Sequence, residues 1–437
     1  MTSSPLRHPR KTRGRTLKYA CIAALGVACV SAAASSASAQ APVDCTTLPN
    51  PIFGIGGSAA TNLIGRVAVH LAGATPPITV VYIDPGACNA MTGLVPNGAT
   101  PVKSLAALST TYSYWLPTDA VGKPHQCSFP SGDTTTADWG AMAQLPGTCA
   151  GTVLPSDVGD FVGPITGISL FVPNASQQRS ISAEAVYYIY GLGVGTGHDV
   201  APWTVPAAIA SRSTSSAAGI LLALAAGLPT NRPLLGTDTK KNQQSIDYVT
   251  STSPAAVMTP EAALGFASTE TVDANRDKVR TLAFKAQGQN CAYPPDTDLT
   301  GTNSTDKKNL REGRYFLWNP HHFYAKVDPT TKQVVNPNLA KFINYVTSKE
   351  ELPTSTAADK TPTFLDLQIA NGNIPQCAMR VTRTGDMGPL SSFQPDKSCG
   401  CYFDFKTTGS TSCKPCSANS DCPASAPSCN VGYCEVK

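Results

Sequence analysis

Residues 51–94 read PIFGIGGSAATNLIGRVAVHLAGATPPITVVYIDPGACNAMTGL, and this stretch decides the fold class. It opens with a short apolar run and passes through a glycine turn at Gly54, Gly56 and Gly57. Leu63, Val67, His70 and Leu71 then fall at helical spacing, and residues 78–83 form an unbroken, β-branched run suited to a strand buried on both faces. Strand, glycine turn, helix and strand make a unit from which α/β sheets are built. The turn also carries chemistry. Glycines ahead of a helix let a ligand approach the backbone, and the helix start offers unpaired N–H donors and the positive end of the dipole. Ser58 adds a hydroxyl, so Gly57, Ser58 and Ala59 are candidates to hold an oxyanion. Two other readings of these residues stay open. Gly54-x-Gly56-x-x-Ala59, with Asp84 ending the next strand, also fits the dinucleotide-binding pattern. A tight turn packing helix on sheet would use the same glycines.

Similar alternation continues downstream. Residues 165–172, 263–268 and 280–284 read as strands, and 182–190 as a helix with Glu184 in its first turn. Residues 216–228 place Ile220, Leu221, Leu224 and Leu228 on one helical side, and Leu339, Phe342, Ile343 and Val346 mark a last amphipathic helix. The expectation is an α/β architecture with largely parallel strands. Residues 294–308 are polar and turn-rich, which predicts a surface loop, and periodicity fades over 350–398.

Of the 437 residues, 42% are hydrophobic and 14% charged, too apolar for a disordered chain and too poor in charge for a basic nucleic-acid surface. The formal charge of +4 misleads, because residues 1–39 hold Arg7, Arg10, Lys11, Arg13, Arg15 and Lys18 and no acid. The remainder has 27 basic against 29 acidic residues, near −2. A basic head, an apolar Ala-rich stretch over 19–34 and the small residues Ala37-Ser38-Ala39 are the three parts of a secretory signal, predicting cleavage after Ala39. The apolar stretch is short of the roughly 20 residues a spanning helix needs. The mature chain is therefore expected to be exported (periplasmic, cell-surface or secreted), with no membrane span and no nucleic-acid partner.

Thirteen of the fifteen cysteines lie beyond that signal, a count that persists as disulfides in an oxidising compartment. Cys45, Cys88, Cys127, Cys149, Cys291 and Cys377 are spread through the body. Cys399, Cys401, Cys413, Cys416, Cys422, Cys429 and Cys434 crowd a tail too short to build its own apolar core. Disulfides are favoured over zinc there because the tail has no histidine. An odd total leaves one thiol unpaired or bridged between chains. Proximity in sequence predicts a Cys127–Cys149 bridge, with Cys45–Cys88 and Cys291–Cys377 as further pairings. Residues 399–437 are expected to form a separate knot outside the body.

Two more constellations suit an anion. Asp138, in the run TTTADWG, could accept a hydrogen bond from a protonated oxyanion such as hydrogenphosphate, whereas a fully ionised sulfate would be repelled. Arg212 offers a planar fork to an anion, and Ser215 or Ser216 caps the helix that follows. Enzyme motifs are sparse. Neither G-x-S-x-G nor H-E-x-x-H occurs. Ser304-Thr305-Asp306-Lys307 fits S-x-x-K but lies in the expected polar loop, and His321-His322 is a poor metal pair because neighbours in a strand point apart. No catalytic residue, metal ligand or cofactor is assigned.

In their order along the chain these pieces resemble one family, the phosphate-type substrate-binding proteins of bacterial ABC importers. The resemblance covers residues 51–346 and rests on Gly56-Gly57-Ser58-Ala59, the strand VVYIDPGACNA, Asp138, Arg212 with Ser216-Ala217-Ala218, the run SISAEAVYYIYG and the strand Ala263-Leu264-Gly265-Phe266. The chain departs from the family in carrying Ala217-Ala218 where Gly-Thr is usual, Ala87-Cys88-Asn89 where Ser-Gly is usual, and the extra cysteines and tail. The resemblance implies an α/β, two-lobed, periplasmic-binding-protein-like (class II) fold with an added disulfide-rich C-terminal module. Residues 40–155 and 280–350 would form lobe one and 156–279 lobe two, with an extension over 351–398 and the tail over 399–437. It implies phosphate or a similar oxyanion bound between the lobes by Gly57, Ser58, Ala59, Asp138, Arg212, Ser215 and Ser216, and an ABC importer or a cell-surface partner. A secreted phosphatase and a surface interaction protein on the same fold are the alternatives.

Overall fold

The computed structural model describes residues 43–96, 100–119, 123–149, 152–251, 259–299, 305–349, 357 and 363–436. The expected signal at 1–39, and Ser304 of the S-x-x-K match, lie outside the described residues.

After β1 (Val43–Asp44) come β2 (Pro51–Gly56), α1 (Thr61–Ala72) and β3 (Thr79–Ile83), the unit expected from residues 51–94. Ile52, Ile55, Val80 and Val81 are fully buried, as their unbroken apolar run requires. Gly56 has no substitute: a Cβ there would lie 2.1 Å from the Ala141 carbonyl oxygen and 2.7 Å from the Tyr82 hydroxyl. Then follow α2 (Asn89–Leu94), β4 (Tyr112–Tyr114), β5 (His125–Ser128), β6 (Trp139–Met142) and the 16-residue β7 (Val158–Pro173). The second half of the chain supplies α3 (Ala217–Ala225), α4 (Asn242–Thr250), β8 (Gly265–Ser268), β9 (Val279–Thr281), β10 (Trp318–Lys326), α5 (Pro337–Val346), α6 (Phe364–Ala370) and α7 (Gly400–Thr408).

These ten strands form one sheet in the order β1-β5-β4-β3-β2-β6-β10-β7-β8, with β9 also paired to β7. Pairs β2–β3, β2–β6 and β1–β5 are parallel. The rest are antiparallel, so the expectation of largely parallel strands is corrected to a mixed sheet. Three returns cause this: β4 runs against β3 and β5, β10 runs against β6 and β7, and β8 and β9 run against β7.

At roughly 3.3 Å per residue β7 is about 53 Å long. Its first residues pair with β10 and its last with β8 and β9, so the two halves of one strand have different partners. The apolar interior divides accordingly. One cluster gathers Ile52, Leu63, Val67, Trp139, Phe323 and Phe342. Another gathers Leu170, Ile189, Leu221, Phe266, Phe284 and Tyr315. Leu282, Phe284, Leu310, Tyr315 and Leu317 belong to the second cluster, and the chain rejoins the first cluster along β10. A further crossing follows: Phe364 and Leu367 pack in the first cluster, while Ile374, which exchanges two backbone hydrogen bonds with Ile165 (2.8 and 3.0 Å), packs in the second.

Among the described residues of 294–308, the expected surface loop is corrected at Asp296, Asp306 and Lys307, which are buried. Lys307 is 1% exposed and Asp296 fully buried. Lys307 Nζ lies 2.6 Å from Asp273 and 3.0 Å from Asp296, and Arg276 lies 2.7 Å from each. Two carboxylates matched by two cations make this burial tolerable where a lone charge would not be. The polar composition of the segment reflects an internal ion cluster.

Six disulfides form: Cys45–Cys127, Cys88–Cys149, Cys377–Cys399, Cys401–Cys413, Cys416–Cys429 and Cys422–Cys434. The Cys127–Cys149 bridge is overturned, as are Cys45–Cys88 and Cys291–Cys377. Parallel pairing of β1 with β5 brings Cys45 next to Cys127, a neighbour relation that sequence distance conceals. Cys291 is the odd thiol, and it is exposed. All seven tail cysteines are used in disulfides, including Cys416, Cys422 and Cys434, whose sulfurs lie close enough together to suggest a metal site.

The tail is not wholly a separate knot. Cys399 and Phe403 are 1% exposed and join the second apolar cluster. The Arg311 guanidinium lies 4.8 Å over the Phe403 ring and pairs with Asp404. Tyr402 donates to Asp366 at 2.6 Å, and Lys406 pairs with the same carboxylate at 2.8 Å. Only the loops beyond α7 stand outside, where the described side chains are mostly exposed.

Candidate functional site

Two glycine- and serine-rich segments, far apart in sequence, meet over one cavity of about 200 Å³. The β2–α1 turn contributes Gly57, Ser58 and Ala59. This turn is fixed from three sides: Gly57 N–H donates to Ala141 (3.0 Å), Tyr82 Oη donates to the Gly57 carbonyl (2.9 Å), and Ala60 N–H closes back on Gly57. Among the described residues, the Ser58 and Ala59 amides and the Ser58 hydroxyl have no recorded partner. They sit at the start of the 12-residue α1, where the helix dipole favours negative charge.

The opposite wall comes from Arg212, Ser213, Ser215 and Ser216, with Ser216 at the N-cap of the nine-residue α3. The Ser216 side chain makes no capping bond, so its hydroxyl is not spent on the helix. Ser215 Oγ and Ser213 Oγ bond each other at 2.9 Å. Arg212 is 4% exposed, and burial pulls its guanidinium down to about 10, still well above neutrality. Its Nη1 donates to Asn242 Oδ1 (2.6 Å) and its Nη2 to the Lys240 carbonyl (2.8 Å), which aims the fork; Nε has no partner.

The two walls touch. Cys88 N–H donates to the Ser215 carbonyl at 3.2 Å, and Lys241 Nζ reaches Asp84 at 2.8 Å. Gly86, at φ +134°, is needed here on two counts, since a Cβ would be strained and would lie 2.6 Å from Ser215 Oγ. The Cys88–Cys149 bridge braces the same loop. Asp84 also accepts from Thr61 (3.2 Å), so the acid that a dinucleotide ribose would need is already engaged.

Six of the seven expected binding residues therefore line one cavity: Gly57, Ser58, Ala59, Arg212, Ser215 and Ser216. Asp138 does not. Its carboxylate accepts from Phe53 N–H at 2.8 Å, and its own N–H donates back to the Phe53 carbonyl at 2.8 Å, so it pins β2 beside β6. Burial raises its carboxyl above the usual aspartate range. Lys240 and Lys241 are lining residues that the sequence did not single out, whereas Asp84 and His321 line the cavity outside the roles weighed for them, a ribose acid and a metal ligand. For His321 a signal existed, because a strand with two adjacent histidines must turn one of them inward. His322 faces away and holds Asp160 through Nδ1 at 2.8 Å, so the pair does not converge on a metal.

No protein-family model matches the chain, and no curated protein matches it. Phosphate-binding periplasmic proteins are among its structural neighbours. It is similar to an ABC-type phosphate transport receptor from Vibrio cholerae (14% identity, 74% of this chain and 99% of that one, TM-score 0.44). It is similar also to PstS from Borrelia burgdorferi (9% identity, 75% and 98%, TM-score 0.37). A third similar structure is the hydrogen peroxide-bound OxyR of Corynebacterium glutamicum (8% identity, 71% and 67%, TM-score 0.36). At these distances the matches leave the ligand of this chain to be read from its own cavity.

Proposed function

We propose that this chain is an exported, non-catalytic binding protein for phosphate or a similar small oxyanion. The observation that carries this is the convergence of two long helix starts, unpartnered backbone and serine donors, and buried Arg212 on one small cavity. Its volume of about 200 Å³ falls below the roughly 300–1,000 Å³ usual for drug-sized organic ligands, which favours an ion. Arg212, Lys240 and Lys241 outnumber Asp84 among the lining charges, which favours an anion. Six disulfides suit an oxidising compartment, and no helix among the described residues is long and apolar enough to cross a membrane. An ABC importer or a cell-surface partner would receive the loaded protein.

Calorimetry with inorganic phosphate, sulfate and small organophosphates tests the proposal. One-site binding of an inorganic oxyanion is expected, with the organophosphates excluded by size. Silence for all the anions would overturn it, and turnover of p-nitrophenyl phosphate would replace it with a phosphatase.

A further inference from the structure

His321 is fully buried in the wall of the cavity, and neither of its ring nitrogens has a hydrogen-bond partner. Buried polar atoms are nearly always satisfied, because an unmet one has given up its water partners for nothing. Two orphans on one ring beside a cavity point to a partner that arrives from outside. Arg212 Nε, in the same cavity, is a third. Backbone geometry puts the ring there: neighbours in β10 point to opposite faces, so His321 lines the cavity while His322 turns to Asp160.

The chemistry of this group differs from that of a carboxylate. An ionised carboxylate facing the ligand accepts hydrogen bonds only, so it admits hydrogenphosphate and repels an anion without a proton. Among the described residues, the cavity has no free carboxylate of this kind. Asp138 is tied to Phe53, and Asp84 is held by Lys241 and Thr61. Burial and the neighbouring His322 pull His321 down to about 3, so the ring is neutral and carries one donor and one acceptor. By choice of tautomer it can accept from a P–OH group or donate to a bare oxyanion oxygen.

We propose that His321 contacts the bound anion directly and that it lets the cavity take fully deprotonated dianions such as sulfate alongside hydrogenphosphate. This rests on the oxyanion function proposed above. The test is calorimetry of the full mature chain with potassium phosphate and potassium sulfate, on the parent and on His321→Asp, His321→Asn and His321→Ala. The parent should bind both anions with affinities within about tenfold of each other. His321→Asp should keep phosphate and lose sulfate by about a hundredfold or more, since like charges would then face each other. His321→Ala should weaken both by about tenfold, and His321→Asn, which keeps a donor and an acceptor, should lose less. Because a buried variant can misfold, ¹⁵N resonances of the parent's histidine rings give a second reading: those of His321 should shift on adding sulfate. A parent that binds phosphate and rejects sulfate, variants that leave both affinities unchanged, or unmoved His321 resonances would overturn this inference and leave the oxyanion proposal standing. A parent that binds neither anion would overturn both.

Discussion

Removing the Cys88–Cys149 bridge by Cys88→Ala with Cys149→Ala probes the fold and the cavity together. The bridge closes 61 residues. In the loop-entropy account, constraining that length in the unfolded chain stabilises the native state by about 4 kcal/mol. That is a large part of the roughly 5–15 kcal/mol that separates folded from unfolded domains. The native state loses little by the change beyond the two weak contacts from Gln144 Nε2 to the sulfurs (3.2 and 3.3 Å). In urea followed by tryptophan fluorescence, with Trp115 and Trp139 buried in the first apolar cluster, the midpoint should fall. The m value should rise, because the unfolded chain without the cross-link exposes more surface. Anion affinity should weaken as well, since the bridge braces the loop carrying Asp84 and Gly86. The connectivity has its own check: Cys127→Ala with Cys149→Ala should break two bridges and free two thiols, those of Cys45 and Cys88. A stability loss under about 1 kcal/mol, or recovery of Cys149 linked to Cys127 in non-reducing peptide mapping, would refute the reasoning.

Arg212→Met should weaken phosphate binding by about 2 kcal/mol, roughly thirtyfold, through loss of a charge-assisted donor, and Arg212→Lys should not restore it because an ammonium cannot bridge Asn242, Lys240 and the anion at once; calorimetry reads both. Glu270 is buried, and burial raises its carboxyl from 4.5 to about 7. The folded state thus holds the proton more tightly than the unfolded one, so this contribution is complete below the ordinary glutamate value and is lost as pH rises through about 7, a loss of about 3 kcal/mol. Glu270→Gln should flatten that pH dependence in urea unfolding and exceed the parent in stability at alkaline pH. Phe403→Ala should cost about 3–5 kcal/mol despite lying in the tail, because the ring is 1% exposed within the second cluster; a loss under about 1 kcal/mol would mean that the tail is a detached module after all.

The α/β class and the unit β2–α1–β3 were legible in the sequence because they depend on local periodicity. An unbroken β-branched run, a glycine turn and a 3.6-residue repeat each declare themselves within a dozen residues, and Gly57, Ser58 and Ala59 inherit their place from that unit. Ser216 was legible for the same local reason, as the polar residue before an apolar helix, although its side chain makes no capping bond, and Arg212 was legible as a cation just ahead of it. What lies across space was not. Asp138 looks like a ligand in its loop, yet it serves Phe53 because β6 pairs with β2. Lys307 looks solvated, yet it is buried because Asp273 and Asp296 arrive from elsewhere to neutralise it. Disulfide partners follow strand neighbours, as Cys45 beside Cys127 shows, and neighbour relations in a mixed sheet are set by where strands return. His321 became a cavity residue only through the placement of β10 beside β6 and β7, which decides which of two adjacent histidines faces the cavity. Side-chain type and spacing determine what a segment can form; burial, pairing and which polar atoms remain unmet are set by contacts between distant segments, and only the tertiary structure contains those.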